Sequence, residues 1–497
     1  MLRRSVTRGP NDDAPPALTG AAFLDRRSAD RRRPVRALGA LPAGALLLAV
    51  AALSTLAQPV AASAQSHPNV LVVVTDDQSN DTLVYLDRLR QEMAEKGVVF
   101  TQGISTTPLC ACSRSSILTG KYVHNTGVVS NASYARFDAS DTIAIWFHEQ
   151  GYTTALFGKY INGYGSHGTS LAPPPGWDRW FAFTGAEVGP VGDFYYDYTV
   201  SDDGKPVSYG ARPSDYSTTV LSAKLNQFIR DTKQPWLAYF APFAPHQPAT
   251  PEDKYIGAFR NVAPFRPANF EESDLTGKPQ YILSHALLVK PNVITFTGNV
   301  DKLHELRLET LLSVEDALTS ALDLLARHGQ LEDTIIVWIS DNGFSLGSHW
   351  WLDKRVPYNE STSVPFMIRW DGHIPPQIVA TPALNIDLGP TIAQLAGVQF
   401  PSPINGRPLL NAEGQPLPRL RGLIEYNGDL LVPAYEGVVE GDRSRTGAIA
   451  YWQYDDGFRE LYRMDKDPDQ LVNIADDPSM LPRVRGLELI VKELEQE

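Results

Sequence analysis

Cysteine is nearly absent from this chain: there are two among 497 residues, and both lie in one Cys110-Ala111-Cys112 segment. Two thiols so close together cannot staple distant segments, so a disulfide framework is excluded and the fold must rest on its core. An excess of positive charge is missing as well. Lys and Arg number 44 against 57 Asp and Glu, a formal net charge of −13. That balance excludes nucleic acid as the main partner, because such binding needs basic surface. An anionic substrate must then be held by a local basic pocket. No His/Cys cluster stands at zinc-like spacing, and there is no internal repeat or low-complexity tract. Beyond Ala57 no hydrophobic run is long enough to span a bilayer.

What is present suits a large globular protein: 43% hydrophobic and 20% charged residues. The N-terminus reads as a targeting segment covering residues 1–64. Arg26, Arg27, Arg31 to Arg33 and Arg36 precede an apolar run from Ala37 to Ala57, and Ala62-Ser63-Ala64 offers a cleavage site before Gln65. A transmembrane anchor is the alternative, but Gly39, Pro42 and Gly44 interrupt the run. The reading is an exported protein, periplasmic or secreted, with no stable membrane span after signal cleavage.

From residue 65 to 400, buried strands alternate with amphipathic helices. Asn69 to Thr75 and Thr334 to Ser340 are continuous apolar runs, the pattern of central strands covered on both faces. Tyr152 to Phe157 and Trp236 to Phe240 read as two more strands. A helix capped by Asp81 carries Leu83, Leu86, Leu89 and Met93; others are expected from Asp141 to Gln150, Thr218 to Arg230 and Lys302 to His328. Ala172 to Gly192 is expected to be ordered loop, and Gly257 to Asn299 an irregular surface excursion. Tyr195 to Val200 and Pro206 to Tyr209 form a predicted hairpin. The fold class is therefore α/β, a mostly parallel central sheet flanked by helices. Residues 401–497 form a smaller C-terminal subdomain, with a small antiparallel sheet and a helix from Pro482 to Glu497.

In an open α/β sheet, sites gather beyond the carboxyl ends of the strands. Here those ends deliver Asp76-Asp77, Lys159, His246 and Asp341-Asn342. If the strands are parallel, all of these groups emerge on one edge. Asp76, Asp77, Asp341 and Asn342 offer only oxygen ligands, which selects Ca2+ or Mg2+ over transition metals. The other unusual stretch runs from Cys110 to Lys121, Cys-Ala-Cys-Ser-Arg-Ser-Ser-Ile-Leu-Thr-Gly-Lys. Its spacing predicts a short helix opening near Cys110 and closing at Gly120, with Cys110 and Arg114 on one face. A thiol beside a fixed cation at a helix N-terminus suits attack on an anionic ester.

The same stretch resembles the signature of the formylglycine-dependent sulfatases, Cys-x-Pro-Ser-Arg-x-x-x-Leu-Thr-Gly, with Cys112 where that pattern has proline. Asn69-Val-Leu-Val-Val-Val-Thr-Asp-Asp-Gln, Ser340-Asp-Asn-Gly-Phe-Ser-Leu-Gly and Lys354-Arg-Val-Pro-Tyr-Asn-Glu-Ser-Thr-Ser-Val-Pro resemble further segments of that family. So does Glu460-Leu-Tyr-Arg-Met-Asp-Lys-Asp-Pro-Asp-Gln-Leu-Val-Asn-Ile. Gly158-Lys-Tyr-Ile-Asn-Gly, with asparagine where many sulfatases have histidine, and Ala244-Pro-His-Gln-Pro-Ala look closest to the N-acetylglucosamine-6-sulfatase and arylsulfatase branch. The resemblance implies an alkaline phosphatase-like fold and a sulfuric ester hydrolase acting on a sulfated sugar, glycosaminoglycan or aryl sulfate.

By position, Asp76, Asp77, Asp341 and Asn342 are implied to hold Ca2+, with Mg2+ as the alternative, together with the formylglycine hydrate made from Cys110. Arg114 would fix that hydrate. Lys159, His246 and Lys354 would grip the sulfate and ease departure of the alcohol, and His124 would organise the surroundings. The implied partners are the sulfated substrate and a formylglycine-generating maturation enzyme. A phosphonate monoester or phosphodiester hydrolase of the same superfamily, or a non-catalytic glycan-binding relative, are the alternative readings.

Overall fold

A computed structural model of the chain describes residues 67–497 apart from 167, 186–193 and 234. The expected leader, and the last part of the expected 172–192 loop, lie outside the described residues. The architecture is one mixed ten-stranded sheet wrapped by helices, followed by a separate four-stranded antiparallel sheet.

Strands β1 (Asn69–Thr75), β2 (Val98–Ile104), β3 (Thr153–Gly158), β4 (Arg179–Phe183), β5 (Thr199–Asp202), β6 (Lys205–Ser208), β7 (Trp236–Ala241) and β8 (Thr334–Ser340) come first along the chain. A two-stranded ribbon follows, β9 (Ser345–Leu346) with β10 (Leu352–Asp353), and then β11 (Phe366–Arg369) and β12 (Gln377–Leu384). In the large sheet the order is β12-β2-β11-β8-β1-β7-β3-β4-β5-β6. β8, β1, β7, β3 and β4 are mutually parallel neighbours. β11 is antiparallel to both β8 and β2, so β2 points the same way as β8.

The β-branched run of β1 explains its central position. Val70, Val72 and Val74 enter a core on one face, with Ile117, Leu118, Ile143 and Ile392. Leu71 and Val73 enter a second core on the other face, with Leu221, Leu225, Leu311 and Leu318 from helices Ser217–Asp231 and Val293–Arg327. A strand apolar on both faces is stable only when both are covered, and here they are.

Several expectations need correction. The segment bearing Leu83 to Met93 is not one helix but a succession of short helical turns, Asn80–Tyr85, Asp87–Leu89 and Arg90–Ala94. Their inward residues still follow the apolar spacing. The expected 172–192 loop contains β4, whose Trp180 and Phe181 are fully buried on opposite faces of the sheet. The expected irregular excursion contains helix Gln280–Val289, and the long helix starts at Val293. Leu287, Leu288 and Ile294 are exposed there, so no clean apolar stripe marked that helix in the sequence.

The C-terminal sheet is the antiparallel meander β13 (Arg421–Tyr426), β14 (Tyr435–Glu440), β15 (Ile449–Tyr454) and β16 (Arg459–Arg463). Helix Leu481–Leu494 covers it through Val484, Leu487, Val491 and Leu494. Leu109, Cys112 and Tyr122 join that same core, so the back of the Cys110 helix rests on the C-terminal sheet. Among the described residues no helix is long and apolar enough to cross a membrane.

Candidate active site

The parallel strands decide where the polar residues meet. β1 ends at Thr75, β3 at Gly158, β7 at Ala241 and β8 at Ser340, so Asp76-Asp77, Lys159, the loop to His246 and Asp341-Asn342 all leave one sheet edge. β2 runs the same way, and five residues after it the helix Cys110–Thr119 begins. That helix stops at Gly120, whose φ of 69° is the left-handed conformation glycine tolerates best.

All ten helix residues are buried, including three serines and an arginine side by side, so polar partners must replace water. Asn131 Oδ1 accepts from the Ala111 N–H at 3.1 Å, satisfying a free donor of the first turn. Ser113 donates to the Asp341 carbonyl and accepts from Asn385 Nδ2 at 2.9 Å.

Cys110 Sγ lies 2.7 Å from Lys354 Nζ, 3.7 Å from Asp76 Oδ1 and 4.0 Å from Asp77 Oδ1. Lys354 also bonds Asp77 Oδ1. Lys159 Nζ donates to Asp76 Oδ2 at 2.6 Å. Arg114, on the turn after Cys110, donates from Nε to Asp341 Oδ2 at 2.8 Å and from Nη1 to the Lys159 carbonyl at 3.1 Å, and its Nη2 lies 3.5 Å from Asp76. Three carboxylates thus share one buried pocket with three fixed cations, the condition for keeping such charges out of water.

Burial pushes the Cys110 thiol up to about 11 although Lys159 and Lys354 pull it down, so the unmodified residue is a thiol at neutral pH. Burial works against Asp76 too, but Lys159 and Arg114 outweigh it and hold that carboxyl far below the usual range. Burial raises Asp341 to about 6 against the pull of Arg114. Burial lowers His246. Its Nδ1 faces the Gln247 carbonyl at 2.6 Å, which assigns the proton there and leaves the Nε2 lone pair facing the pocket, 3.6 Å from Asp77 Oδ2.

The oxygen donors fit a hard divalent cation. The Asp76 and Asp77 carboxylates each bring one ligand atom within 4.8 Å of the other and of Cys110 and His246. Asn342 donates from Nδ2 to Asp77 Oδ1 at 2.6 Å while its Oδ1 is buried with no hydrogen-bond partner. A buried amide oxygen beside carboxylates is what Ca2+ or Mg2+ satisfies. Asp341 stands one layer further in: Oδ2 meets Arg114, and Oδ1 accepts the N–H groups of Asp77 at 2.9 Å and Asn342 at 2.7 Å.

Of the sequence-predicted residues, Asp76, Asp77, Cys110, Arg114, Lys159, His246, Asp341, Asn342 and Lys354 come together. His124 does not join them. Its ring stacks on Tyr122, and Nδ1 lies 3.0 Å from Glu425 of β13, a contact that raises its pKa. Sequence reasoning missed Arg307, which is buried and reaches the carbonyl of Asp77. The available signal was an arginine on the apolar stripe between Leu303 and Leu311 of the long helix.

A model of the sulfatase family matches residues 68–398, and a model described as N-sulphoglucosamine sulphohydrolase, C-terminal, matches 347–497. A putative extracellular sulfatase Sulf-1 homolog of Caenorhabditis elegans is 33% identical over 69% of this chain, which spans only 49% of that relative's length. Human N-acetylglucosamine-6-sulfatase is 31% identical over 480 residues, 85% of this chain and 84% of the human one. A solved structure in complex with its substrate D-glucosamine-2-N,6-O-disulfate shares the fold with a TM-score of 0.72, at 24% identity over 86% of this chain and 98% of the other.

Proposed function

The chain belongs to the sulfatase family, the hydrolases of sulfuric esters, and from that premise we propose that it is an exported enzyme cleaving the sulfate ester of a sugar. The 6-O-sulfate of an N-acetylglucosamine unit is the first choice. The observation that carries the reading is the seat of Cys110 Sγ, 2.7 Å from Lys354 Nζ and 3.7 Å from Asp76. A thiol whose pKa is pushed up this far is a poor nucleophile, which supports its conversion to formylglycine. Hydrated, that aldehyde would supply one hydroxyl, which loses its proton and attacks sulfur as the ester S–O bond breaks, and a second whose loss of a proton would expel sulfate as the carbonyl re-forms.

Asp76, Asp77 and Asn342, with Asp341 behind them, would hold Ca2+ or Mg2+, which offsets charge on the sulfuryl oxygens. Lys354 bonds Cys110 Sγ and Lys159 bonds Asp76 beside it, so each can bind a sulfate oxygen. Arg114 locks the helix turn to Asp341, so the nucleophile keeps its place relative to β8. His246, with its Nδ1–H committed to a backbone carbonyl, would take the attacking hydroxyl's proton on Nε2 and pass it to the departing oxygen. Export rests on the N-terminal Arg-rich and apolar segment together with its Ala-x-Ala site.

The test uses full-length protein co-expressed with a formylglycine-generating enzyme. A peptide mass spectrum over Cys110 reports the aldehyde, and turnover is compared on N-acetylglucosamine-6-sulfate, an aryl sulfate and an aryl phosphonate, with Cys110→Ala as the inactive control. Preference for the phosphonate would replace the sulfatase reading with the phosphonate hydrolase one. Unmodified thiol on every copy would leave a glycan-binding protein.

A further inference from the structure

The proposed chemistry uses residues at the strand ends, and one buried side chain ties together two of the loops that carry them. Arg307 projects from the middle of helix Val293–Arg327 with 1% of its surface exposed. One arm of its guanidinium donates to the carbonyl of Asp77, the other to the carbonyl of Pro245 at 3.1 Å. The Phe344 ring lies 4.6 Å from its central carbon. No carboxylate is paired with it by a salt bridge among the described residues, so this cation is committed to two peptide oxygens.

Both carbonyls sit where backbone direction matters. Asp77 has a φ of 68°, a left-handed conformation that a residue with a side chain keeps only when its surroundings impose it. Its N–H is held by Asp341 Oδ1 at 2.9 Å, the following N–H by Ser340 Oγ at 2.8 Å, and its carbonyl by Arg307. The Pro245 carbonyl belongs to the peptide that leads into His246, whose own carbonyl accepts from Tyr195 Oη at 2.8 Å. A planar fork can bond two oxygens in fixed directions, whereas an ammonium is a point donor.

We propose that Arg307 is a positioning residue for the hydrolytic reaction, fixing the Asp77 carboxylate and the His246 ring relative to each other through their backbones. This rests on the sulfatase reading of the site. Arg307 touches none of the reacting atoms and acts only through Asp77 and His246. Loss of such an outer support costs about 10–100-fold in metal affinity or activity.

The test compares matured, full-length wild type with Arg307→Lys and Arg307→Met, reading kcat and KM on an aryl sulfate and the Kd of Ca2+ by calorimetry on chelator-treated protein. Near-UV circular dichroism checks folding. The expected result is a kcat lower by about 10–100-fold in both variants with KM changed by less than about threefold, and a Ca2+ Kd raised by a similar factor. Lysine keeps the charge, so a loss in Arg307→Lys identifies the fork rather than the charge. Folded variants with wild-type kcat and Kd overturn the proposal. So does a loss of activity that merely follows the unfolded fraction, which would make Arg307 a stability residue. Should wild type itself bind no divalent cation, the metal reading fails separately and Arg307 is judged on kcat alone.

Discussion

Replacing Lys354 by methionine keeps the length of the side chain and removes one charge from the centre of the site. Lys354 Nζ bonds both Asp77 Oδ1 and Cys110 Sγ, and it is buried along with them. Arg114, Lys159 and Lys354 offset Asp76, Asp77 and Asp341 in the native arrangement; with methionine, two cations face three carboxylates. Breaking a buried pair from one side costs about 3–5 kcal/mol of stability. In chelator the melting temperature should therefore drop, and added Ca2+ should recover part of the loss by binding only the folded state. The catalytic effect has a separate origin. A positioned donor that meets charge developing in the transition state is worth about 100–1,000-fold in kcat. Steady-state hydrolysis of an aryl sulfate by fully matured Lys354→Met should show a fall of that size. A kcat within about threefold of wild type would refute the placement of this ammonium on the sulfuryl group.

Gly158→Ala should unfold or deeply destabilise the protein: φ is 115° there, and an added Cβ would stand 2.0 Å from the Ala241 carbonyl of the neighbouring strand. A loss of more than about 2 kcal/mol in urea denaturation is expected, and wild-type stability would contradict it. Glu272 gives a pH signature away from the site. It accepts from His349 Nδ1 at 2.7 Å, and burial raises its pKa from 4.5 to about 7. The folded protein then binds this proton more tightly than the unfolded chain, so the contribution is full below pH 4.5 and is lost as pH rises through 7. Against Glu272→Gln, wild type should lose stability from pH 5 to 7 and level off above it; parallel melting curves would show that Glu272 does not titrate there.

Legibility in the sequence followed burial pattern. β1 and β8, apolar on both faces, stood out as runs of Val and Ile ending in acids. β4 did not, because Pro, Gly and aromatic residues around it look like loop until Tyr164 and Tyr160 pack on Trp180. β2, β11 and β12 passed unremarked, and β2 mattered most, since its direction aims the Cys110 helix at the same sheet edge. His124 was placed near the nucleophile by resemblance alone, and its ring turned instead to Glu425, a partner 301 residues away.

By itself the sequence determined which chemistry was on offer. The oxygen-only ligands, the Cys110–Lys121 segment and the lysines after strand ends are local facts, written in residue type and spacing. Whether those groups meet was decided only by the tertiary structure, because strand order and direction depend on pairings between segments hundreds of residues apart. The role of Arg307 belongs wholly to that second category. An arginine on an apolar stripe says only that something polar must be buried beside it, and the fold alone supplies the two carbonyls.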